Sequence, residues 1–251
     1  ATLRQTLSTS LRPDLHICGS RNYEDWVREA GFVEPSVVVT FGTDLEAFAL
    51  STEQRAKVRA DLGIEDRRVV LIPARPVPRK RIEDAIAALA RVIPSVPDAT
   101  LLLTAPTGRS NQAYCTELDR LASDLGLEDH VTWVEGLGWQ DMPAMYAASD
   151  AVVMPSAHES WGIALTEGMA SRRPVITTDI KGHWEVVDHE RTALLFEPGD
   201  VATLTTAITR VLTEDVSGMV ERAYRESQAR FSVDACVVGH ERAYADLTRG
   251  A

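Results

Sequence analysis

A chain of 251 residues, 45% hydrophobic and 25% charged, has a globular composition and can bury one large core, or one domain and part of another. Its net charge of −11 leaves no surplus of cations to displace phosphate counterions, which excludes nonspecific nucleic-acid binding but not a local basic pocket. No apolar run approaches the ~20 residues of a membrane span, no signal-peptide pattern opens the chain, and Cys18, Cys115 and Cys236 lack disulfide or zinc-site spacing; a cytoplasmic setting is the simplest expectation.

In chain order, residues 1–48 hold a helix tail (Leu3, Leu7, Leu11), a short strand Leu15–Cys18, a helix Tyr23–Ala30 and a strand Val37–Phe41. Two strands and about two helices cannot build a covered parallel sheet alone. The stretch therefore reads as the C-terminal remnant of a second α/β domain, followed by a linker over residues 49–66. Between residues 67 and 214, short apolar runs alternate with segments of helical period. The expected strands are Val69–Ala74, Thr100–Ala105, Val131–Val134, Ala151–Pro155, Val175–Thr178 and Ala193–Phe196, short and mostly apolar as strands covered on both faces tend to be. Helices are expected where Ile82, Ala85, Ile86, Leu89, Ala90 and Ile93 repeat, and over Ala113–Leu125, Met142–Ala148, Gly162–Ser171 and Val201–Leu212. This alternation predicts an α/β fold with a doubly wound parallel sheet, whose ligands bind beyond the carboxyl ends of its strands. Residues 215–251 carry two more helices, one striped by Val216, Met219, Val220, Ala223, Tyr224 and Ser227, the other over about Val233–Leu247.

Two constellations fall at those strand ends. Glu159 follows the strand Ala151–Pro155, and Glu167 lies within the first turns of the next helix, which starts at Gly162. Free backbone N–H groups at a helix start favour an anion, a glycine admits close approach, and a carboxylate accepts several hydrogen bonds from sugar or ribose hydroxyls. The plainer reading is a solvated loop carboxylate and a second one that stabilises a helix N-terminus. The other constellation is Arg75-Pro-Val-Pro-Arg-Lys80-Arg81, the basic exception in an acidic chain. Arg75 and Lys80 are candidates for holding a diphosphate, whereas Arg79 and Arg81 read as solvated. His158 and His130 read as structural, and the loop with His183 and Trp184 either lines a sugar pocket or merely turns the chain. Neither a Walker loop nor a GxGxxG fingerprint is present, against ATPase and dehydrogenase readings.

The ordered set Phe41-Gly-Thr-Asp44, Ala74-Arg75…Lys80, Val131-Thr-Trp-Val-Glu-Gly136, Met145-Tyr…Ser149-Asp-Ala-Val-Val-Met-Pro-Ser156, Glu159…Gly162…Glu167-Gly-Met-Ala, Arg173-Pro-Val-Ile-Thr and Thr192-Ala-Leu-Leu-Phe-Glu-Pro-Gly-Asp200 resembles the retaining glycosyltransferases of the GT-B fold. That group includes sucrose synthases and bacterial mannosyl- and glucosyltransferases. The resemblance implies that the chain is the C-terminal, donor-binding domain of such an enzyme, with the final helices crossing back to the N-terminal domain. It implies that Arg75 and Lys80 grip the diphosphate of a nucleoside-diphosphate sugar and Glu167 holds the ribose. Glu159 would stand at the transferred sugar beside the backbone N–H groups of Trp161, Gly162 and Ile163, and Gly136 and Leu137 would lie on the nucleobase side. It implies no cofactor and no metal, the nucleotide sugar being a substrate, and an acceptor site on the missing part of the N-terminal domain. The departures are Arg81 in place of a glycine, Ala105-Pro-Thr-Gly108 in place of a glycine-rich turn, Trp161 in place of Phe or Tyr, and a loop in which Gly182 keeps only part of the family's glycine pair. The alternatives are a non-catalytic donor-binding or regulatory module that needs a partner domain, and a GT-B epimerase or phosphorylase.

Overall fold

The computed structural model describes residues 13–105 and 111–249. The expected helix tail at Leu3, Leu7 and Leu11, and most of the turn Ala105-Pro-Thr-Gly108, lie outside the described residues. The first strand β1 (His16–Cys18) and β2 (Ser36–Val38) pair in parallel around the helix α1 (Arg21–Glu29). After α2 (Thr52–Asp61) come β3 (Arg68–Ile72), α3 (Ile82–Val92), β4 (Ala99–Ala105), α4 (Gln112–Asp124) and β5 (Val131–Glu135). Then follow α5 (Met142–Ala148), β6 (Ala151–Met154), α6 (Ile163–Ala170), β7 (Val175–Thr178), β8 (Leu194–Phe196), α7 (Val201–Thr213), α8 (Ser217–Arg230) and α9 (Val233–Arg249).

Strands β3 to β8 form one six-stranded sheet in the order β5-β4-β3-β6-β7-β8, with every neighbouring pair parallel. All seven residues of β4 are buried, so both of its faces are covered, as its mostly apolar sequence requires; its two threonines, Thr100 and Thr104, donate to the carbonyls of His130 and Ile72. One face packs Val70, Ile72, Leu101, Leu103 and Val153 against α3 and α7 through Ile82, Ile86, Leu89, Leu204 and Ile208. The other face packs Val69, Leu71, Leu102 and Val152 against Phe48 and the α5 residues Met145 and Tyr146. A third cluster joins α6 to α8 through Trp161, Leu165, Met169, Ala223 and Phe231. No helix among the described residues is long and apolar enough to cross a membrane.

Two features were not visible in the sequence pattern. The stretch read as a linker carries the helix α2, which starts with a capping box between Ser51 and Gln54. It has almost no apolar stripe. Its arginines hold it instead: Arg55 donates to the carbonyls of Ala147 (2.5 Å) and Ser149 (2.6 Å) and pairs with Asp150 (2.6 Å). Arg59, itself buried, donates to the carbonyls of Ala148 (2.6 Å), Glu65 (3.3 Å) and Arg67. These guanidinium groups satisfy carbonyls at the C-terminus of α5, where a helix dipole favours cations. The other feature is the approach of α9 to the N-terminal stretch. A Cβ on Gly239 would lie 2.7 Å from Val39 Cγ1, and one on Gly42 2.8 Å from Val233 Cα, so backbone closeness there depends on two glycines.

Arg59→Ala leaves buried carbonyls without a donor and is expected to lower stability to urea by about 2–3 kcal/mol. A change below about 0.5 kcal/mol would show that α2 is held by something else.

Candidate functional site

In this sheet the chain winds outward from β3 to β4 and β5, then returns to β6 on the opposite side of β3. The loops that leave β3 and β6 therefore diverge at a switch point and frame a crevice. They are joined directly, the Ala157 amide donating to the Arg79 carbonyl at 2.9 Å. Beyond these strand ends lies a cleft of about 390 Å³, lined by Phe41, Arg75, Arg79, Lys80, Thr104, Met142, Glu159, Trp161, Gly162, Ile163 and Glu167 among others. The volume falls in the range of small-molecule sites.

The Pro78–Lys80 turn, entered through Pro76 and Pro78, aims Lys80 at the cleft. The Lys80 ammonium donates to Glu159 Oε1, which also accepts from Ser156 Oγ at 3.0 Å. Arg79 lies 3.5 Å from the same oxygen and donates to the His158 carbonyl at 3.3 Å. Burial alone would push the Glu159 carboxyl up, but Lys80, Ser156 and Arg79 together outweigh it and hold the group below the ordinary glutamate range. Arg75 is exposed at the rim and forms no ion pair with the described residues. Among the described cations that line the cleft, Arg79 and Lys80 are paired with Glu159 and Arg75 is not.

Glu167 occupies the fifth position of α6 and accepts from the Tyr146 hydroxyl at 2.6 Å. Here burial pushes the carboxyl up and the single Tyr146 bond only partly offsets it. The Tyr146 phenol is fully buried beside Phe48 and is itself pushed well above its usual value, by burial first and then by Glu167. Gly162 precedes α6 in the left-handed region, with φ 91°, a conformation that favours glycine. The first N–H groups of the helix have no acceptor one turn earlier within it; the Leu165 amide bonds back to the Gly162 carbonyl at 2.9 Å, and Ile163 and Ala164 line the cleft.

Arg75, Lys80, Glu159, Trp161, Gly162, Ile163 and Glu167 thus meet in one cleft, while Gly136 and Leu137 do not line it. Gly136 sits at the exit of β5 with its amide on the Ala105 carbonyl, and Leu137 packs on the core beside Met142. Two expectations are corrected. Arg79 is no bystander, because the short turn before Lys80 carries it to Glu159. Arg81 turns away from the cleft in the left-handed conformation (φ 48°) and forks onto the buried Asp84 at 2.6 and 2.9 Å. The Trp161 side chain is 2% exposed and packs edge-on against Phe231, so what this residue offers a ligand is backbone. His158 is exposed, and His130 contacts the Ala99 carbonyl through Nδ1 at 2.8 Å. Tyr146, Ser156 and Met142 escaped the sequence reading because only tertiary contact brings them to the site. Glu159 also has a backbone partner that the sequence concealed: a Cβ on Gly182 would fall 2.0 Å from the Glu159 carbonyl oxygen.

Gly182→Ala must displace the Glu159 backbone. It is expected to cost about 1–3 kcal/mol in denaturant titrations and to shift the Glu159 carboxyl resonance. Lys80→Met removes the main opposition to burial, so the Glu159 pKa should rise above the ordinary glutamate value. In the wild type the depressed pKa contributes stability that is present above the unfolded value and is lost as pH falls through the folded one. The variant should lose that contribution and be destabilised already in weakly acidic buffer, where Glu159 takes up its proton. A ¹³C carboxyl titration that finds Glu159 unmoved in Lys80→Met would remove Lys80 as its partner.

Comparison with known proteins shows the family and the fold. The family model for glycosyl transferases group 1 matches residues 54–230. A GDP-mannose-dependent alpha-(1-6)-phosphatidylinositol monomannoside mannosyltransferase of Mycolicibacterium smegmatis is 32% identical over 180 residues, covering 69% of this chain and 46% of that protein. A D-inositol 3-phosphate glycosyltransferase of Saccharomonospora viridis is 33% identical over 201 residues, covering 77% of this chain and 46% of that protein. The chain thus spans about half the length of these curated relatives. Among solved structures, Anabaena HepE in complex with UDP and glucose superimposes with a TM-score of 0.85 at 26% identity, over 94% of this chain and 63% of that one. A sucrose-phosphate synthase from Thermosynechococcus elongatus gives a TM-score of 0.83 at 28% identity, over 96% of this chain and 60% of that one. With the parallel six-stranded sheet and its switch-point cleft, these matches establish the chain as a member of the group 1 glycosyltransferases with the GT-B-type fold.

Proposed function

We propose that this chain supplies the donor site for transfer of a hexose from a nucleoside-diphosphate sugar, with retention of anomeric configuration. The observation that carries the reading is the cleft's charge pattern: an ionised, half-buried Glu159 paired with Lys80, a free Arg75 at the rim, and Glu167 across the floor. Arg75 and Lys80 receive the diphosphate through charge-assisted hydrogen bonds. The free N–H groups around Gly162 and Ile163 reach the phosphate or the sugar hydroxyls. Glu167 accepts from ribose hydroxyls, the Tyr146 bond fixing its direction. Glu159 orients the transferred sugar by accepting from its hydroxyls and stabilises developing positive charge, which is positioning and electrostatic work.

In the reaction, the bond between the anomeric carbon and the diphosphate oxygen breaks. A bond to the acceptor oxygen forms on the same face, and the acceptor's proton passes to the leaving diphosphate. The donor is a substrate, and no metal or cofactor enters the proposal. Supporting the nucleotide class, HepE is described in complex with UDP-glucose and the mycobacterial relative is GDP-mannose-dependent. The acceptor, a cytoplasmic setting, and a complementary N-terminal domain that closes the cleft belong to the same proposal.

Calorimetry with UDP-glucose, GDP-mannose and ADP-glucose tests it. At least one should bind, Lys80→Ala should weaken every nucleoside diphosphate by roughly tenfold or more, about 1.4 kcal/mol, and Glu167→Ala should weaken nucleotides more than sugar 1-phosphates. Binding of inorganic phosphate with no response to any nucleotide would overturn the reading in favour of a phosphorylase.

A further inference from the structure

The loop after β7 places one polar side chain where the proposed chemistry does not use it. His183 is wholly buried, at 0% exposure. Its Nδ1 lies 3.0 Å from the Thr178 carbonyl and 2.9 Å from Thr177 Oγ1, and the Thr177 hydroxyl already donates to the Met154 carbonyl at 3.1 Å. A carbonyl can only accept, so Nδ1 carries the proton and Nε2 carries the lone pair. That Nε2 has no hydrogen-bond partner among the described residues. Buried polar atoms without partners are uncommon and call for a reason.

What the Nε2 edge faces supplies the reason. A Cβ built on Gly162 would meet His183 Cδ2 at 3.0 Å and Nε2 at 3.2 Å. The imidazole therefore fills the place of the missing Gly162 side chain, with its Cδ2–Nε2 edge set against the Gly162 α-carbon. Gly162 lines the cleft and opens α6. The neighbouring Gly182 rests on the Glu159 carbonyl, so one short loop backs both residues of that wall. An aliphatic side chain would fill the volume without an orphaned atom. It would lack the Thr178 tether that turns the ring edge-on.

We propose that His183 is a positioning residue for the sugar end of the donor, holding the Gly162 turn so that the N–H groups behind it face the transferred hexose. The role rests on the donor-site reading above. Burial pushes the imidazole pKa down, the Thr178 carbonyl and Glu159 oppose that, and Lys80 adds to it, so the ring stays neutral near pH 7 and competes with neither member of the Glu159–Lys80 pair. Glu159 and Lys80 are the charged groups that bear on it.

The test compares wild type, His183→Ala and His183→Leu by calorimetry, each against UDP-glucose, GDP-mannose and ADP-glucose and against UDP, GDP and ADP. Thermal unfolding and amide spectra confirm that the variants fold. Expected is a loss of roughly tenfold or more for the nucleotide sugar that wild type binds, with the matching free nucleotide changed by less than about threefold. His183→Leu, which keeps volume but not the tether, should share the loss. ¹⁵N spectra of labelled histidine should show the Nδ1–H tautomer in wild type, and Gly162 should shift in both variants. Equal losses for sugar and free nucleotide, no loss in either variant, or an Nε2–H tautomer overturns the role. Wild type that binds none of the three nucleotide sugars overturns the donor reading itself, and this role with it.

Discussion

The cleft depends on keeping one desolvated carboxylate ionised. Glu159 sits where β3 and β6 release their loops, and burial there opposes its charge. Lys80, Ser156 and Arg79 reverse the balance, and each comes from a turn fixed by something else: the prolines before Lys80, the β6 exit, and the hydrogen bond from the Ala157 amide to the Arg79 carbonyl. A buried ion pair of this kind is a poor source of stability, because desolvating both charges consumes most of the Coulomb attraction. It is better understood as a preformed binding device. In the proposed reaction an arriving diphosphate would offer Lys80 new acceptors while Glu159 met the hydroxyls of the sugar, so the pair would separate into ligand contacts without leaving either charge bare.

The second carboxylate shows how environment divides roles between like residues. Glu159 is held below its ordinary range by cations, whereas Glu167, eight residues later and buried beside a phenol, is pushed above it. Neighbouring groups whose titrations are driven apart are a recurring feature of functional sites. On the proposed donor reading, the separation would sort them by ligand chemistry. A carboxylate matched by cations tolerates the charge changes of a reacting centre. One matched by a single hydroxyl is suited to hydroxyl donors such as those of a ribose.

What the sequence disclosed follows from what each element packs against. The six strands of the main sheet were readable because covered faces demand apolar runs, and the order of loops at their carboxyl ends pointed to Arg75, Lys80, Glu159 and Glu167. The helix α2 was not readable. Its hold on the fold is two arginines reaching carbonyls about ninety residues away in the chain, a contact with no local period. Arg79 and Arg81 were misjudged for a related reason, since one residue of a tight turn decides which cation faces the cleft. His183 was left undecided between pocket and turn. Its place behind Gly162 is set by β7 and β6 lying side by side in the sheet, which no local pattern records.

The remaining structure separates the position of the wall from its charge. Ser20 donates to the Ser160 carbonyl at 3.0 Å, Asn22 reaches the Glu159 carbonyl at 3.4 Å, and Glu185 receives the amides of Arg21 and Asn22 at the start of α1. Lys181 pairs with Asp25 at 2.7 Å, and Thr43 meets Thr166 inside α6 at 2.7 Å. The hydrogen bonds from Ser20 and Asn22 to the Glu159–Trp161 loop land on backbone carbonyls, and Phe41 meets the Trp161 ring edge-on, while the carboxylate answers to Lys80, Arg79 and Ser156 on its own side of the cleft. A displacement of α1 would act on where the wall stands without first changing the ionisation of Glu159. Such an arrangement lets the N-terminal stretch set the geometry of the site while its electrostatics stay built into the sheet edge.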